Sequence, residues 1–282
     1  MNVDCIKMQA AGNDYIFLDC LVREVEDPQT LARELCKRRI SMGADGLILL
    51  LPSELADAKM RIFNADGSEA KMCGNAARCA ARLLYESNYA KKSRITIETL
   101  SGVYKVYLTV KNRAIETIAV DMGRASVGEM FFYENGGEKY EMRAINMGNE
   151  HQVAFVPDVD YVDLDRIGPK FEKNPMFPDG VNTEICEIVG ENHIKVRTFE
   201  RGCGETLACG TGACAAAVAA VGAGVCSPSR LIKVDMRGGE LRVLCNEMMR
   251  VILLGDARRV FEGVAHLDGL EKSATDAHGN KI

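Results

Sequence analysis

Apolar residues recur along this chain in two rhythms, every second position in some stretches and every third or fourth in others. Residues 3–8 and 15–20 read as short strands on either side of a loop from Gln9 to Asp14, where Gly12 and Asn13 supply turn chemistry. Pro28 opens a helix with Leu31, Leu35 and Cys36 on one face and Arg33, Lys37 and Arg38 on another. The turn Gly43-Ala44-Asp45-Gly46 leads into an apolar strand from Leu47 to Leu51, and Lys59 to Asn64 forms the next. After Cys73, the residues Ala76, Ala77, Ala80, Ala81, Leu83 and Leu84 describe a closely packed helix that starts at Cys73-Gly74-Asn75. Alternation then returns over Ile95 to Thr99, Val103 to Val110 and Ala114 to Met122, with turns at Ser101-Gly102 and Lys111-Asn112-Arg113. This pattern predicts a mostly antiparallel meander rather than repeated βαβ units.

The same order of elements then comes round again. Arg61-Ile62-Phe63-Asn64 leads into Met72-Cys73-Gly74-Asn75-Ala76-Ala77-Arg78, and Arg197-Thr198-Phe199-Glu200 leads into Ala208-Cys209-Gly210-Thr211-Gly212-Ala213-Cys214. Cys73 and Cys209 are 136 residues apart, as are Phe63 and Phe199, Glu69 and Glu205, and Gly12-Asn13 and Gly148-Asn149. A spacing close to half of 282 residues means that one fold is used twice. The second copy carries a long alanine helix from Gly212 to about Ala223, then closing strands over Leu241 to Leu244, Arg250 to Leu254 and Arg259 to Leu267. The expected division is 1–112 for the first domain, completed by a strand from 258–270, and 113–257 for the second, with a loosely held polar tail at 271–282.

Composition narrows the function. The net charge of −5 and the absence of a basic cluster interleaved with aromatics argue against nucleic acid as a partner. The longest apolar runs fall far short of a membrane span, and Met1 to Lys7 lacks the basic lead and apolar core of a signal peptide. Eleven scattered cysteines, an odd number, fit a reducing cytoplasm better than a secreted disulfide scaffold. Cys73 and Cys79, like Cys203 and Cys209, are six apart with no CxxC or paired histidines, so no metal site is expected.

Two of those cysteines stand apart because each opens a helix and is followed by glycine. A helix N-terminus offers unpaired N–H groups and a partial positive charge, which favours a thiolate and binds a carboxylate. Inverting an amino-acid α-carbon requires an acid and a base on opposite faces, since a single base tends to return the proton it took. Two helix starts aimed at the substrate carboxylate would stabilise the carbanion's spreading charge, so no cofactor is expected. The other nine cysteines read as packing, Cys79 and Cys214 inside the alanine helices among them. Around the thiols the two copies differ: Asn64 matches Glu200, Gly46 matches Asn182 and Asn75 matches Thr211, as an asymmetric ligand between them would require.

The motifs Gly12-Asn13-Asp14, Met72-Cys73-Gly74-Asn75 with Ala77-Arg78-Cys79, and Glu200-Arg201-Gly202-Cys203-Gly204-Glu205-Thr206 running into Ala208-Cys209-Gly210-Thr211-Gly212 resemble the diaminopimelate epimerase family, over nearly the whole chain. The resemblance implies an α+β fold of two pseudo-symmetric domains, each a mostly antiparallel sheet or barrel wrapped around a central helix, with the site in the cleft between them. It implies interconversion of LL- and meso-diaminopimelate, on the route to lysine and peptidoglycan, without cofactor or metal, in a cytoplasmic homodimer. On this reading Cys73 and Cys209 are acid and base, and Gly74, Asn75, Gly210 and Thr211 cradle the carboxylate at the reacting centre. Asn13, Asn64, Asn149, Asn182, Glu200 and Arg201 become the remaining substrate contacts, Gly46 is counted with them, and His151 and Glu200 tune the thiols.

Three departures stand out. Glu150 replaces the family's usual proline before His151, Ala76 stands where glycine is usual, and Gln9-Ala10-Ala11 replaces a His-Gly-Leu type of loop. Glu150 is the one expected to alter substrate preference or the pKa of His151. Two rival functions remain open: a racemase of the same fold acting on another amino acid such as histidine, and a non-catalytic thiol redox or metal-binding protein.

Overall fold

A computed structural model of the chain describes residues 2–22, 25–135 and 137–267. The tail expected at 271–282 lies outside the described residues. The first half runs β1 (Asn2–Ala10), β2 (Asn13–Asp19), α1 (Pro28–Leu35), β3 (Gly46–Leu51), β4 (Ala58–Asn64), β5 (Glu69–Ala70), α2 (Gly74–Glu86), β6 (Arg94–Thr99), β7 (Gly102–Lys111) and β8 (Ala114–Arg124). A further strand, β9 (Ser126–Asn135), leads into the second half. That half runs β10 (Glu138–Asn146), β11 (Glu150–Phe155), α3 (Leu164–Glu172), β12 (Asn182–Gly190), β13 (His193–Glu200), β14 (Gly204–Thr206), α4 (Gly210–Gly222), β15 (Leu231–Met236), β16 (Gly239–Cys245), β17 (Arg250–Gly255) and β18 (Arg258–His266).

Strand pairing repeats between the halves. β1 pairs β2, β2 lies parallel to β3, β3 pairs β4, and β4 leads by a parallel step to β6, then β7 and β8. β10, β11, β12, β13, β15, β16 and β17 repeat that order with the same parallel steps. The halves join where β17 pairs β8. β9 flanks β10 and β18 flanks β1, so the last described strand returns to the first.

Each half of this continuous sheet packs round one helix. α2 packs against β1, β4, β6, β7, β8 and β18, and α4 against β10 to β13 and β15 to β17. Alanine is what makes this possible: a helix buried on all sides needs small side chains if strands are to approach from every direction. In α4 the residues from Gly212 to Ala220 are all buried, and Cys79 and Cys214 are fully enclosed. One apolar cluster spans both helices, with satellites beneath α1 and α3. The loop expected over Gln9 to Asp14 is shorter than the sequence suggests. Ala11 and Gly12 alone form the turn, both at positive φ, and it presses against Gly238 of the other half, where a Cβ would lie 2.1 Å from Ala11 O.

Candidate active site

The two matched cysteines are the N-caps of the two central helices. Cys73 has an extended backbone (φ −146°, ψ 119°) before α2, and Cys209 the same (φ −113°, ψ 118°) before α4. Helix α4 thus begins at Gly210, two residues before the start read from the sequence. The first N–H groups of each helix lack intrahelical partners and point toward the caps. Cys209 Sγ accepts one of them, from Gly212 N at 3.3 Å. The helix starts meet over Leu253: a Cβ on Gly74 would lie 3.0 Å from Leu253 Cδ2, and one on Gly210 3.1 Å from it and 3.8 Å from Gly74 Cα. Glycine after each cysteine is therefore a matter of space.

The thiols have unlike neighbours. Cys73 Sγ lies 3.2 Å from the hydroxyl of Tyr15, and Cys209 Sγ lies 3.4 Å from Thr211 Oγ1. Burial pushes the Cys73 thiol above its usual range; the Tyr15 hydroxyl and the Ala76 and Asn75 N–H groups oppose that, and the charge of Glu200 adds to it. Burial pushes Cys209 well up, reinforced by the charges of Glu200 and Glu184 and opposed by Thr211 and the Gly212 N–H. The helix-start N–H groups lower both thiols, as the sequence predicts, but burial outweighs them. Glu200 is itself raised by burial, while its carboxylate accepts from Thr206 Oγ1 at 2.5 Å.

His151 and Glu184 form a wholly buried pair beneath Cys209, with Nδ1 2.9 Å from Oε1. Nδ1 is the ring nitrogen that faces the carboxylate, and that contact fixes the orientation of the imidazole. Neither His151 Nε2 nor Glu184 Oε2 has a hydrogen-bond partner among the described residues. A Cβ on Gly212 would fall 2.5 Å from Glu184 Oε1, so only glycine leaves room for the carboxylate under α4. Sequence reasoning missed Glu184 and Tyr15. The signals existed: Tyr15 matches His151 at the spacing of 136, and Glu184 is an acid inside an apolar strand where the first copy has Ile48.

Amide side chains tie the halves together. Asn13 Nδ2 in the first half donates to Ala208 O in the second at 2.6 Å, and Asn75 Nδ2 approaches the same carbonyl at 3.5 Å. Asn149 Nδ2 lies 3.5 Å from Thr211 Oγ1. Asn182 lies beside His151 in register, its Oδ1 accepting from Arg201 N at 2.9 Å and its Nδ2 donating to Glu150 O at 3.2 Å. In the first half, Gly46 stands between Tyr15 and Asn64 in register, where a side chain would strike Phe63 O at 2.8 Å. Two expected contacts are engaged elsewhere: Asn64 Nδ2 bonds Ser68 Oγ at 3.0 Å, and the exposed Arg201 bonds Asp179 O at 2.9 Å. The Glu150 carboxylate is held by Asn146 Nδ2 at 2.6 Å at the surface, while His151 is fully buried.

Among the described residues, no group of three His, Cys, Asp or Glu side chains could hold a metal ion, and no helix is long and apolar enough to cross a membrane.

The sequence model of a family described as diaminopimelate epimerase matches residues 5–128 and 143–260 of this chain. A diaminopimelate epimerase of Acetivibrio thermocellus is 42% identical over 278 residues, covering 94% of this chain and 99% of its own. One of Parabacteroides distasonis is 43% identical over 259 residues, covering 91% and 96%. Among solved structures, a probable proline racemase from Agrobacterium radiobacter aligns with a TM-score of 0.77 at 16% identity, covering 96% of this chain and 95% of its own. A phenazine biosynthesis protein of the PhzF family from Bacillus anthracis aligns at 0.75 and 18%, covering 95% and 100%. At such identities the likeness is one of fold.

Proposed function

The chain belongs to the diaminopimelate epimerase family, a family of isomerases, and we propose that Cys73 and Cys209 are its acid and base, acting on opposite faces of one α-carbon of 2,6-diaminopimelate. The observation that carries this reading is the pair of thiols capping two helices whose glycine starts face each other over Leu253, a Cβ on Gly210 falling 3.8 Å from Gly74 Cα. One thiolate removes the α-proton and the opposite thiol supplies another, so LL- and meso-forms interconvert without an electron-sink cofactor. The substrate carboxylate is received by the helix-start N–H groups at Gly74, Asn75, Gly210 and Thr211, where both helix dipoles favour the charge that spreads onto it. The burial that raises both thiols keeps water from the reacting centre and strengthens every such interaction.

The remaining residues take roles consistent with their positions. Glu200, close to both sulfurs, receives the substrate ammonium and, with His151, tunes the thiols. Asn13 and Asn149 bridge the two halves near the reacting centre. Asn64, Asn182 and Arg201 grip the distal amino-acid end, which requires Arg201 to leave Asp179 O and Asn64 to leave Ser68. Gly46, opposite Asn182 in the repeat, leaves that end open in the first half. The lobes of this reading are 1–112 with the returning strand, and 113–257. A cytoplasmic homodimer serving lysine and peptidoglycan precursor synthesis completes it.

The test is solvent exchange. Purified, reduced and EDTA-treated protein in D₂O, given LL-diaminopimelate, L-histidine and L-lysine separately, is expected to deuterate and invert diaminopimelate alone. Deuteration of histidine instead would transfer the activity to another amino acid, and no exchange with any of the three would remove the enzyme reading.

A further inference from the structure

The neighbours of the two thiols occupy matched positions but differ in chemistry. Tyr15 on β2 and His151 on β11 are 136 residues apart, as are Ile48 and Glu184, and Ala76 and Gly212. Under α2 the repeat therefore places a phenol, an isoleucine and an alanine; under α4 it places an imidazole, a carboxylate and the glycine that admits it. Tyr15 is buried, with its hydroxyl 3.2 Å from Cys73 Sγ.

We propose that Tyr15 is a further catalytic residue of this site: its hydroxyl donates to Cys73 Sγ, so that Cys73 is the thiol that ionises, while Glu184 keeps Cys209 protonated. The proposal rests on the two-thiol reading above. A thiolate can only accept, so the phenol must be the donor once Cys73 carries charge. Burial and the adjacent Cys73 hold the Tyr15 phenol well above its usual range, so it stays protonated and able to donate. The other groups facing Cys73 do not reverse this: Glu200 opposes its ionisation, but it opposes that of Cys209 as well. Cys79 and Asp45 act on Tyr15, raising it further, and the buried Arg78 favours a negative Cys73. Facing Cys209 are Glu200, Glu184 and, bonded to Glu184, His151.

The proton count closes. Ionised Cys73 takes the α-proton and becomes a thiol, the C–H electron pair stays on the substrate as a carbanion, and Cys209 gives its proton to the other face and becomes a thiolate. Cys73 then releases one proton to solvent and Cys209 takes one up, which resets the pair for the same direction. The reverse direction starts from the form with Cys209 ionised.

Alkylation of the substrate-free protein by iodoacetamide, followed at each cysteine by peptide mass spectrometry across pH, reads both thiols independently of turnover. The wild-type midpoint for Cys73 is expected below that for Cys209. Tyr15→Phe is expected to raise the Cys73 midpoint by about one pH unit, a roughly tenfold loss of thiolate at fixed pH, and to leave Cys209 in place. Glu184→Gln is expected to lower the Cys209 midpoint and leave Cys73 in place. With LL-diaminopimelate, Tyr15→Phe is expected to move the acid limb of kcat/KM upward by the same amount, which loss of packing would not do. Coincident wild-type midpoints, a lower midpoint at Cys209, or an unmoved Cys73 in Tyr15→Phe would overturn the proposal. The wild-type order can overturn it even where a variant does not fold. Because no substrate is present, failure here is separate from failure of the exchange assay.

Discussion

Arg78 Nη2 donates to Asn75 Oδ1 at 2.8 Å within the first turns of α2, and both side chains are almost wholly buried. The guanidinium also donates from Nε to Asp256 O at 3.1 Å, and its Nη1 has no partner among the described residues. No carboxylate oxygen lies within ion-pairing distance of it among the described ion pairs, so the cation is desolvated without full compensation. Its use is to orient Asn75, whose amide then faces Ala208 O and the opposite helix start. Arg78→Met is therefore expected to leave the melting temperature within about 4 °C of wild type or to raise it, while lowering kcat/KM at least about tenfold. Calorimetry and steady-state kinetics on one preparation check both halves. A large loss of stability with kinetics intact would reverse the argument.

Gly212 and Glu184 make a sterically matched pair. Glycine inside a helix ordinarily costs about 1 kcal/mol relative to alanine, so Gly212→Ala would stabilise α4 if space allowed. Here the new Cβ would lie 2.5 Å from Glu184 Oε1, and overpacking of about 1–3 kcal/mol is expected to win. The matched Ala76 is tolerated in the same apolar cluster as Ile48. A double-mutant cycle by urea unfolding gives the measurement: Gly212→Ala is expected to be milder in a Glu184→Ala background. Strict additivity would show that the two do not meet.

Arg197 grips Glu205 with two hydrogen bonds of 2.7 and 2.9 Å, and Arg61 grips Glu69 with the same two lengths at the matched place in the first half. Burial pushes Glu205 up, but Arg197 and Arg237 more than reverse it, leaving the carboxyl below its ordinary range; the Arg61 hydrogen bond does the same for Glu69. A depressed folded pKa means stability that is present above the unfolded value and lost as pH falls through the folded one. Arg197 also donates to Val159 O and Val162 O, and the Glu205 side chain is only 6% exposed against 20% for Glu69. Arg197→Lys is thus expected to cost about 2–4 kcal/mol at neutral pH and Arg61→Lys about 1. The difference from wild type is expected to shrink below about pH 4 as the carboxyls protonate. Denaturant unfolding across pH tests this, and an Arg197→Lys penalty that persists in acid would place the cost in the lost carbonyl contacts.

What the sequence made legible follows from how each feature is encoded. The alanine helices announce themselves because a helix enclosed by strands must be small-sided where they approach, as α4 is almost throughout and α2 is at Ala76, Ala77, Ala80 and Ala81, and the matched cysteines stand at their starts. The hairpin strands follow from alternation. β9 is less visible, because Ser126 to Asn135 is mostly exposed and its polar and aromatic residues do not mark a buried face. Tyr15 and Glu184 escaped for another reason: each acts through a neighbour on a different element, and only the strand order beneath each helix shows which side chain meets which sulfur or glycine. The resting contacts of Asn64 and Arg201 likewise depend on turns that local pattern does not specify.

The facing helix starts bear on oxidation. Both thiols are free, and Gly74 and Gly210 behind them are near contact. A mild two-electron oxidant such as diamide is expected to couple Cys73 Sγ to Cys209 Sγ, its azo group taking up the two electrons and two protons to become a hydrazine, and to abolish exchange until dithiothreitol restores it. The other nine cysteines are expected to react far more slowly, except the exposed Cys203. Peptide mapping identifies the linkage. Activity lost with both thiols still free would point to another site of damage, and saturating substrate is expected to protect by separating the sulfurs.

Removing one thiol at a time separates proton abstraction from inversion. In Cys209→Ala the surviving Cys73 keeps its Tyr15 partner and its helix start, so it can still take a proton from the face it meets. With no acid opposite, that proton or its deuterium replacement returns to the same face. Cys209→Ala is therefore expected to lose inversion by about 10²-fold or more while retaining slow α-deuteration without change of configuration. Cys73→Ala is expected to show the same split with the other stereoisomer of the reacting centre. Chiral chromatography coupled to mass spectrometry in D₂O resolves both outcomes at once. Inversion at wild-type rate in either variant would mean that one thiol serves both faces, which the opposed helix starts do not allow.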